Sequence, residues 1–181
     1  MKIVSHTQYG PPEELKIIEV EKPIPKDNEV LIKIHATSVT TSDCNVRNFT
    51  FAPESFKPMA KLMFGFSKPR NNKLGVEFSG TVATIGKKVK LFKPGDEVFG
   101  TPGMKLGSHA EYICIAEKGN IIKKPTNASF EESAVIALAG NTALYFIRDL
   151  GKVTEGQKIL IHGASGGIGT YAVQLAKYYG A

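Results

Sequence analysis

Cysteine is scarce in this chain of 181 residues: two are present, Cys44 and Cys114. They form no Cys-x-x-Cys pair, so neither a disulfide framework nor a thiolate metal site is expected. No apolar run approaches the ~18 residues that cross a bilayer, which excludes a membrane-spanning helix as an expectation. The opening MKIVSHTQYG lacks the apolar stretch of a secretory signal, and a cytoplasmic protein is expected. Concentrated basic charge is missing as well. The net charge is +6, but Lys and Arg are spread out, densest in KKVKLFK (Lys87 to Lys93) and KLMFGFSKPRNNK (Lys61 to Lys73). A nucleic-acid footprint needs a clustered basic face, so no nucleic-acid partner is expected. The spread charge suits solubility and, secondarily, an anionic cofactor. No internal repeat or low-complexity tract is found.

What is present is globular: 42% hydrophobic and 22% charged residues. Up to Pro125 the chain reads as short strands. MKIVSH, LKIIEVEKP, EVLIKIHATSV, GVEFSGTVATIGKKV, EVFG, HAEYICIA and NIIKKP are extended, β-branched runs separated by Gly and Pro turns. In EVLIKIHATSV, Val30, Ile32 and Ile34 alternate with Leu31, Lys33 and His35. Many short strands with such turns imply a barrel or sandwich.

The pattern then changes. In SFEESAVIALAG, Ser129 and Glu132 form a capping box and Gly140 is the expected stop. NTALYFIRDLG reads as a second helix, capped at Asn141 or Thr142 and closed by Gly151. KILIH (Lys158 to His162) has the composition of a buried strand. IGTYAVQLAKYYG is a helix with Ile168, Ala172, Leu175, Ala176 and Tyr179 on one stripe. The order is thus a β-rich domain, a helical pair and one strand-turn-helix unit. A parallel sheet needs more such units, each of roughly 30 residues. The chain therefore reads as the front part of a longer protein.

Between that strand and that helix lies GASGGIG, Gly163 to Gly169. A dinucleotide pyrophosphate is held by backbone N–H groups at a helix N-terminus, and side chains would block the approach. Gly163 would make the turn, Gly166 and Gly167 would admit the backbone, and Gly169 would let the helix pack closely. Ala164, Ser165 and Ile168 complete the expected cofactor-binding set. A plain β-α turn without ligand is the competing reading. The residue that separates NAD from NADP lies about 20 positions on, beyond Ala181.

The stretches NEVLIKIHATSVTTSDCNVR, LGVEFSGTVATIGKKVKLFKPGDEVFG, HAEYICI, LAGNTALYFI and GQKILIHGASGGIGTYAVQLAKYYGA resemble the medium-chain dehydrogenase/reductases, in particular their zinc-independent quinone oxidoreductase (zeta-crystallin-like) branch. Short-chain dehydrogenases also carry glycine loops, but near the N-terminus and with a Tyr-x-x-x-Lys that is not found here. The resemblance implies a mixed β and α/β fold. A GroES-like β-barrel catalytic domain would occupy 1–127. Residues 128–181 would hold linking helices and the first β-α unit of an incomplete Rossmann NAD(P)-binding domain. The implied activity is NAD(P)H-dependent, zinc-free reduction of a small hydrophobic carbonyl, enone or quinone, with NADPH favoured over NADH. At full length a homodimer is implied. The alternative is a nucleotide-binding or structural, crystallin-like member with little catalysis. The fragment alone is expected to be inactive, to bind NAD(P)H weakly or not at all, and to self-associate through its unpaired strand.

The zinc-dependent relatives place ligands at positions matching Thr40, Val76 and Leu138, none of which offers thiolate, imidazole or carboxylate. The four-Cys structural zinc loop is absent too, and Cys44 with His109 is a weak candidate pair, so no metal is expected. Without zinc, hydrogen-bond donors must stabilise charge on the substrate oxygen. The candidates after IKIHATSV are Thr40, Ser42, Asp43 and Arg47. Thr40 stands where quinone reductases often have Asn, and Ser42 where alcohol dehydrogenases keep a relay hydroxyl. The competing role for both is capping of the short helix that follows. Asp43 and Arg47, four apart, are expected to pair on one helical face. Thr142 would meet the cofactor or merely cap a helix. The apolar stretch Asn48 to Lys73 is long for a connection, and it would line a pocket, form a dimer contact or serve as a lid, with a membrane-surface segment as a minor variant.

Overall fold

The computed structural model of the protein describes every residue from Met1 to Ala181. It divides into two compact units, Met1–Ala134 and Val135–Ala181. The first is built on antiparallel strands. β1 (Lys2–His6) pairs with β2 (Leu15–Glu19), Ile3 opposite Ile18. β3 (Glu29–Thr37), β4 (Phe78–Ile85), β5 (Glu97–Gly100), β6 (Tyr112–Ala116) and β7 (Ile121–Lys123) form one sheet in the order β6-β3-β4-β5-β7. All seven strands lie in the β-branched runs between Gly and Pro turns.

β3 is the central strand and departs from simple alternation. Val30, Leu31 and Ile32 are all buried, whereas Lys33 and His35 are exposed. Its register against β4 shifts between Leu31 and Ile32 and again between Ile34 and Ala36. Such irregularities bend and twist a strand, so its two halves need not bury the same face. The core gathers Val30 and Ile32 with Phe78, Val82, Val98, Ile113 and Ile115.

Two helices fill the connection from β3 to β4. α1 (Thr41–Asn48) is separated from β3 by three residues, Ser38 to Thr40. α2 (Lys57–Phe64) lies inside the stretch read as a long connection. Pro58 in its first turn and Gly65 at its end, with φ of 113°, are ordinary helix start and stop signals. Phe49, Ala52 and Ala60 form a small apolar cluster there with Tyr9 and Phe64. The Tyr9 hydroxyl donates to the Phe64 carbonyl at 2.9 Å, tying the first turn of the chain to α2.

α3 (Phe130–Leu144) opens with the expected capping box: Ser129 N donates to Glu132 Oε2 at 2.8 Å, and Glu132 N to Ser129 Oγ at 3.1 Å. Gly140 does not end it. The helix continues to Leu144 and widens into a π-type turn, Tyr145–Leu150, that closes at Gly151. A mid-helix glycine costs about 1 kcal/mol, too little to break a segment rich in Ala and Leu. Its absent Cβ also matters, since one there would lie 3.0 Å from Ile136 Cγ2.

In the second unit, Ala172 and Leu175 of α4 (Gly167–Tyr178) and Tyr179 at its C-cap pack with Ala143, Ile147 and Ile161. Two expectations fail here. Lys158 to His162 joins no ladder, and Leu160 is 95% exposed, because this unit contains no strand for it to pair with. Ile168, expected on the buried stripe, is 48% exposed in the first turn of α4.

Candidate functional site

The first unit builds a site where β3 gives way to α1. The loop between them is fastened from three sides. Thr37 Oγ1 donates to the Glu77 carbonyl at 2.7 Å, and the Ser38 hydroxyl bonds the Glu77 carboxylate. His109 Nε2 donates to the Ser38 carbonyl at 2.8 Å. Thr40 then caps α1 in a capping box with Asp43. Its N–H and hydroxyl both donate to Asp43 Oδ2 at 2.8 Å, and Asp43 N returns to Thr40 Oγ1 at 3.4 Å. Asp43 is buried, and its other oxygen accepts from Gly75 N at 3.1 Å. The expected Asp43–Arg47 pair is not made. Both carboxylate oxygens are engaged, and Arg47 Nε donates instead to the Gly10 carbonyl at 3.0 Å and to Asn48.

Ser42, by contrast, is exposed and opens onto a cavity of about 370 Å³ between α1, α2 and the turn at Met104. Tyr9, Val46, Phe51, Phe64 and Met104 make the walls apolar, while Ser42, Asn45 and Arg70 supply the polar groups. Thr40 and Asp43 do not line it. Tyr9, Asn45, Arg70 and Met104 were not picked out from the sequence, because they stand far apart in it and carry no motif. The Phe- and Met-rich stretch did signal a pocket, and Phe51, Met63 and Phe64 contribute to its wall.

Behind Tyr9 sits His6, wholly buried. Its Nδ1 lies 3.3 Å from the Asn72 carbonyl and so carries the proton, which leaves Nε2 buried without a partner. Burial pulls the His6 pKa below its ordinary value, and the Arg47 charge adds to the fall, against the Asn72 hydrogen bond. Above about pH 6.5 the imidazole is neutral in both the folded and the unfolded chain. As pH falls below that, the unfolded chain takes up the proton first and stability is lost. Urea midpoints of the first unit should therefore drop between pH 7 and 5 by more than in His6→Gln, whose side chain does not titrate. An equal drop in both would remove His6 from the account.

No group of three or more His, Cys, Asp or Glu side chains is placed to hold a metal ion. Cys44 and His109 line a common groove, with His109 Nε2 occupied by Ser38. Burial pushes the Cys114 thiol up to about 11, so it stays protonated and unreactive at neutral pH.

The second unit carries the glycine turn. Gly163 has φ of 74°, and Gly166 N donates to its carbonyl at 3.0 Å. Gly166 caps α4 in an extended conformation, and Gly166 and Gly167 are exposed. A Cβ on Gly169 would strike the Gly163 carbonyl and Ala164 Cα, so the helix closes on its own turn rather than on a strand. Ala164, Ser165 and Ile168 are exposed around the first turn, whose free N–H groups and dipole suit an anion. These residues fit a pyrophosphate. Thr142 is half-buried and its hydroxyl donates to the Leu138 carbonyl at 2.7 Å, as helix-interior threonines do.

Residues 26–126 match the family described as the alcohol dehydrogenase GroES-like domain, more than half of the chain, and the protein belongs to that family. With it comes a partial Rossmann-like region, as in the wider medium-chain dehydrogenase/reductase superfamily. The chain is 33% identical over 181 residues to human quinone oxidoreductase, covering 99% of this chain and 50% of that protein. It is 35% identical over 186 residues to the 2-methylene-furan-3-one reductase of tomato (Solanum lycopersicum), covering 98% and 44%. The quinone oxidoreductase of Escherichia coli, solved in complex with NADPH, superimposes with a TM-score of 0.84 at 27% identity, over 100% of this chain and 51% of that one. The chain thus spans about half the length of the relatives it matches.

Proposed function

We propose that the full-length protein reduces an apolar quinone or other conjugated carbonyl with NAD(P)H and without protein-bound zinc. The observation that carries this reading is the apolar cavity beside α1, which holds an unengaged hydroxyl, that of Ser42. Its size and lining suit a small, flat, hydrophobic molecule held at one end by polar groups. Gly163 to Gly169 would hold the dinucleotide through the amides at the start of α4, and bound nicotinamide would supply the hydride. What this chain adds is orientation and a hydrogen bond. The Ser42 hydroxyl would donate to the substrate oxygen as charge grows there. Thr40 is less suited, because its proton is committed to Asp43. Asp43 is a positioning residue that holds α1, not a group that touches substrate. The positions that match zinc ligands hold Thr40, Val76 and Leu138, which favours a mechanism resting on hydrogen bonds.

The test is NADPH oxidation at 340 nm by the full-length protein with 1,4-benzoquinone and a panel of enones. Ser42→Ala should lower kcat/KM by about 100-fold, the usual scale for a lost hydrogen-bond donor to the reacting oxygen. Unchanged turnover in Ser42→Ala would remove that residue from the chemistry. NADPH binding without turnover on any member would favour the crystallin-like reading.

A further inference from the structure

α2 is turned against its own pattern. Met59, Leu62 and Met63 follow the i, i+3, i+4 spacing of a core-facing stripe and Phe66 comes just past the helix end, yet they are 54%, 59%, 60% and 66% exposed. The inward face is carried by Ala60 and Phe64, with Lys57 and Lys61 half-buried at its edges. Phe56 extends the outward stripe toward the helix start, at 53% exposed. An apolar stripe left outside on a short helix marks a surface that meets something.

Its charge says what. From Lys57 to Lys73 there are five basic residues (Lys57, Lys61, Lys68, Arg70 and Lys73) and no acidic one. The nearest carboxylate in the sequence, Glu54, is already paired with Lys57. Asn71 Nδ2 donates to the Lys105 carbonyl at 2.6 Å, which brings the exposed Met104 and the charged Lys105 alongside. A second copy of the same stripe would bring two sets of these cations together, so charge opposes self-pairing there. Apolar side chains projecting from a cationic rim suit an anionic bilayer, where the rim meets headgroups and the stripe enters the acyl boundary.

We infer that α2 and the turn at Met104 form a peripheral docking surface for anionic phospholipid membranes. Met59, Leu62 and Phe66 are the inserting residues, and Lys68 and Lys105 are headgroup contacts. No helix is long and apolar enough to cross a membrane. The docking surface shares Met63, Arg70 and Met104 with the cavity wall, but does not depend on which substrate the cavity takes.

Vesicle co-sedimentation tests it, using the full-length protein with phosphatidylcholine vesicles containing or lacking 30% phosphatidylglycerol (about a third anionic lipid, the regime in which basic clusters bind). Binding is expected to the anionic vesicles, weakly to neutral ones, and to fall as salt rises. The double variant Met59→Asp/Leu62→Asp should reduce the bound fraction about tenfold, and Lys68→Glu should reduce it while leaving its weak neutral-vesicle binding unchanged. Both sites are exposed, so far-UV circular dichroism should be unaltered. No binding to anionic vesicles overturns the proposal, as does binding that the double variant leaves intact. Light scattering showing a dimer that the double variant dissolves, without vesicle binding, assigns the stripe to a second copy and overturns it too.

Discussion

Asp43→Ala should destabilise the GroES-like unit by about 3–5 kcal/mol, measured by urea unfolding followed by tyrosine fluorescence. The reason is the number of donors that depend on one carboxylate. Oδ2 receives the N–H and the hydroxyl of Thr40, both at 2.8 Å, and Oδ1 receives Gly75 N at 3.1 Å. Removing the carboxylate leaves three donors in a site with little access to water, each costing about 1–3 kcal/mol when unpaired. The Gly75 backbone cannot relax freely, since its φ is 98° and His109 lies against it. Asp43→Asn should also destabilise, because its single oxygen can accept on one side only while its NH2 on the other meets a backbone N–H donor, of Thr40 or of Gly75. A loss under about 1 kcal/mol for Asp43→Ala would mean that the capping box is solvated and that Asp43 is free for another role.

That network also shows where the sequence is legible. The strands were readable because β-branched runs and Gly-Pro turns are local signals. The Ser129–Glu132 capping box was readable because its geometry is fixed by a spacing of three. Asp43 was misread for the same reason in reverse. A spacing of four suggests an Arg47 partner, but a competing box at a spacing of three takes one oxygen and Gly75 N takes the other. Gly75, the third participant, is 32 residues away and carries no local mark. α2 is not announced by its apolar residues, which suit a pocket wall, a dimer contact or a lid alike, although Pro58 and Gly65 bracket it as start and stop. Lys158 to His162 has the composition of a strand, but a strand exists only as a pair, and composition cannot supply the neighbour. In the candidate site, the glycine turn was legible because backbone conformation selects glycine. The cavity wall was not, since Tyr9, Asn45, Arg70 and Met104 meet through folding alone.

Gly169→Val should weaken NADPH binding by the full-length protein about 100-fold, read by fluorescence titration, equivalent to roughly 3 kcal/mol. At this position a side chain would meet only backbone: the Gly163 carbonyl oxygen and the Cα and carbonyl carbon of Ala164 at 2.7 and 2.9 Å. Backbone cannot swing aside as a side-chain tip can, so the turn itself must open. Opening it moves the Gly163 carbonyl away from Gly166 N and misaims the amides at the start of α4. The same substitution should lower the melting temperature, which alone would not separate a lost site from a damaged fold. Gly166→Ala makes the separation. Gly166 has φ of −78° and its nearest neighbour would be the Gly163 carbonyl at 3.4 Å, an ordinary contact, so the fold should be unchanged. Its new methyl would stand in the open approach to the turn. If the turn holds a pyrophosphate, Gly166→Ala must bind NADPH more weakly at unaltered stability. If it is only a β-α connection, Gly166→Ala will bind as the parent does, and Gly169→Val will lose stability without any selective loss of nucleotide.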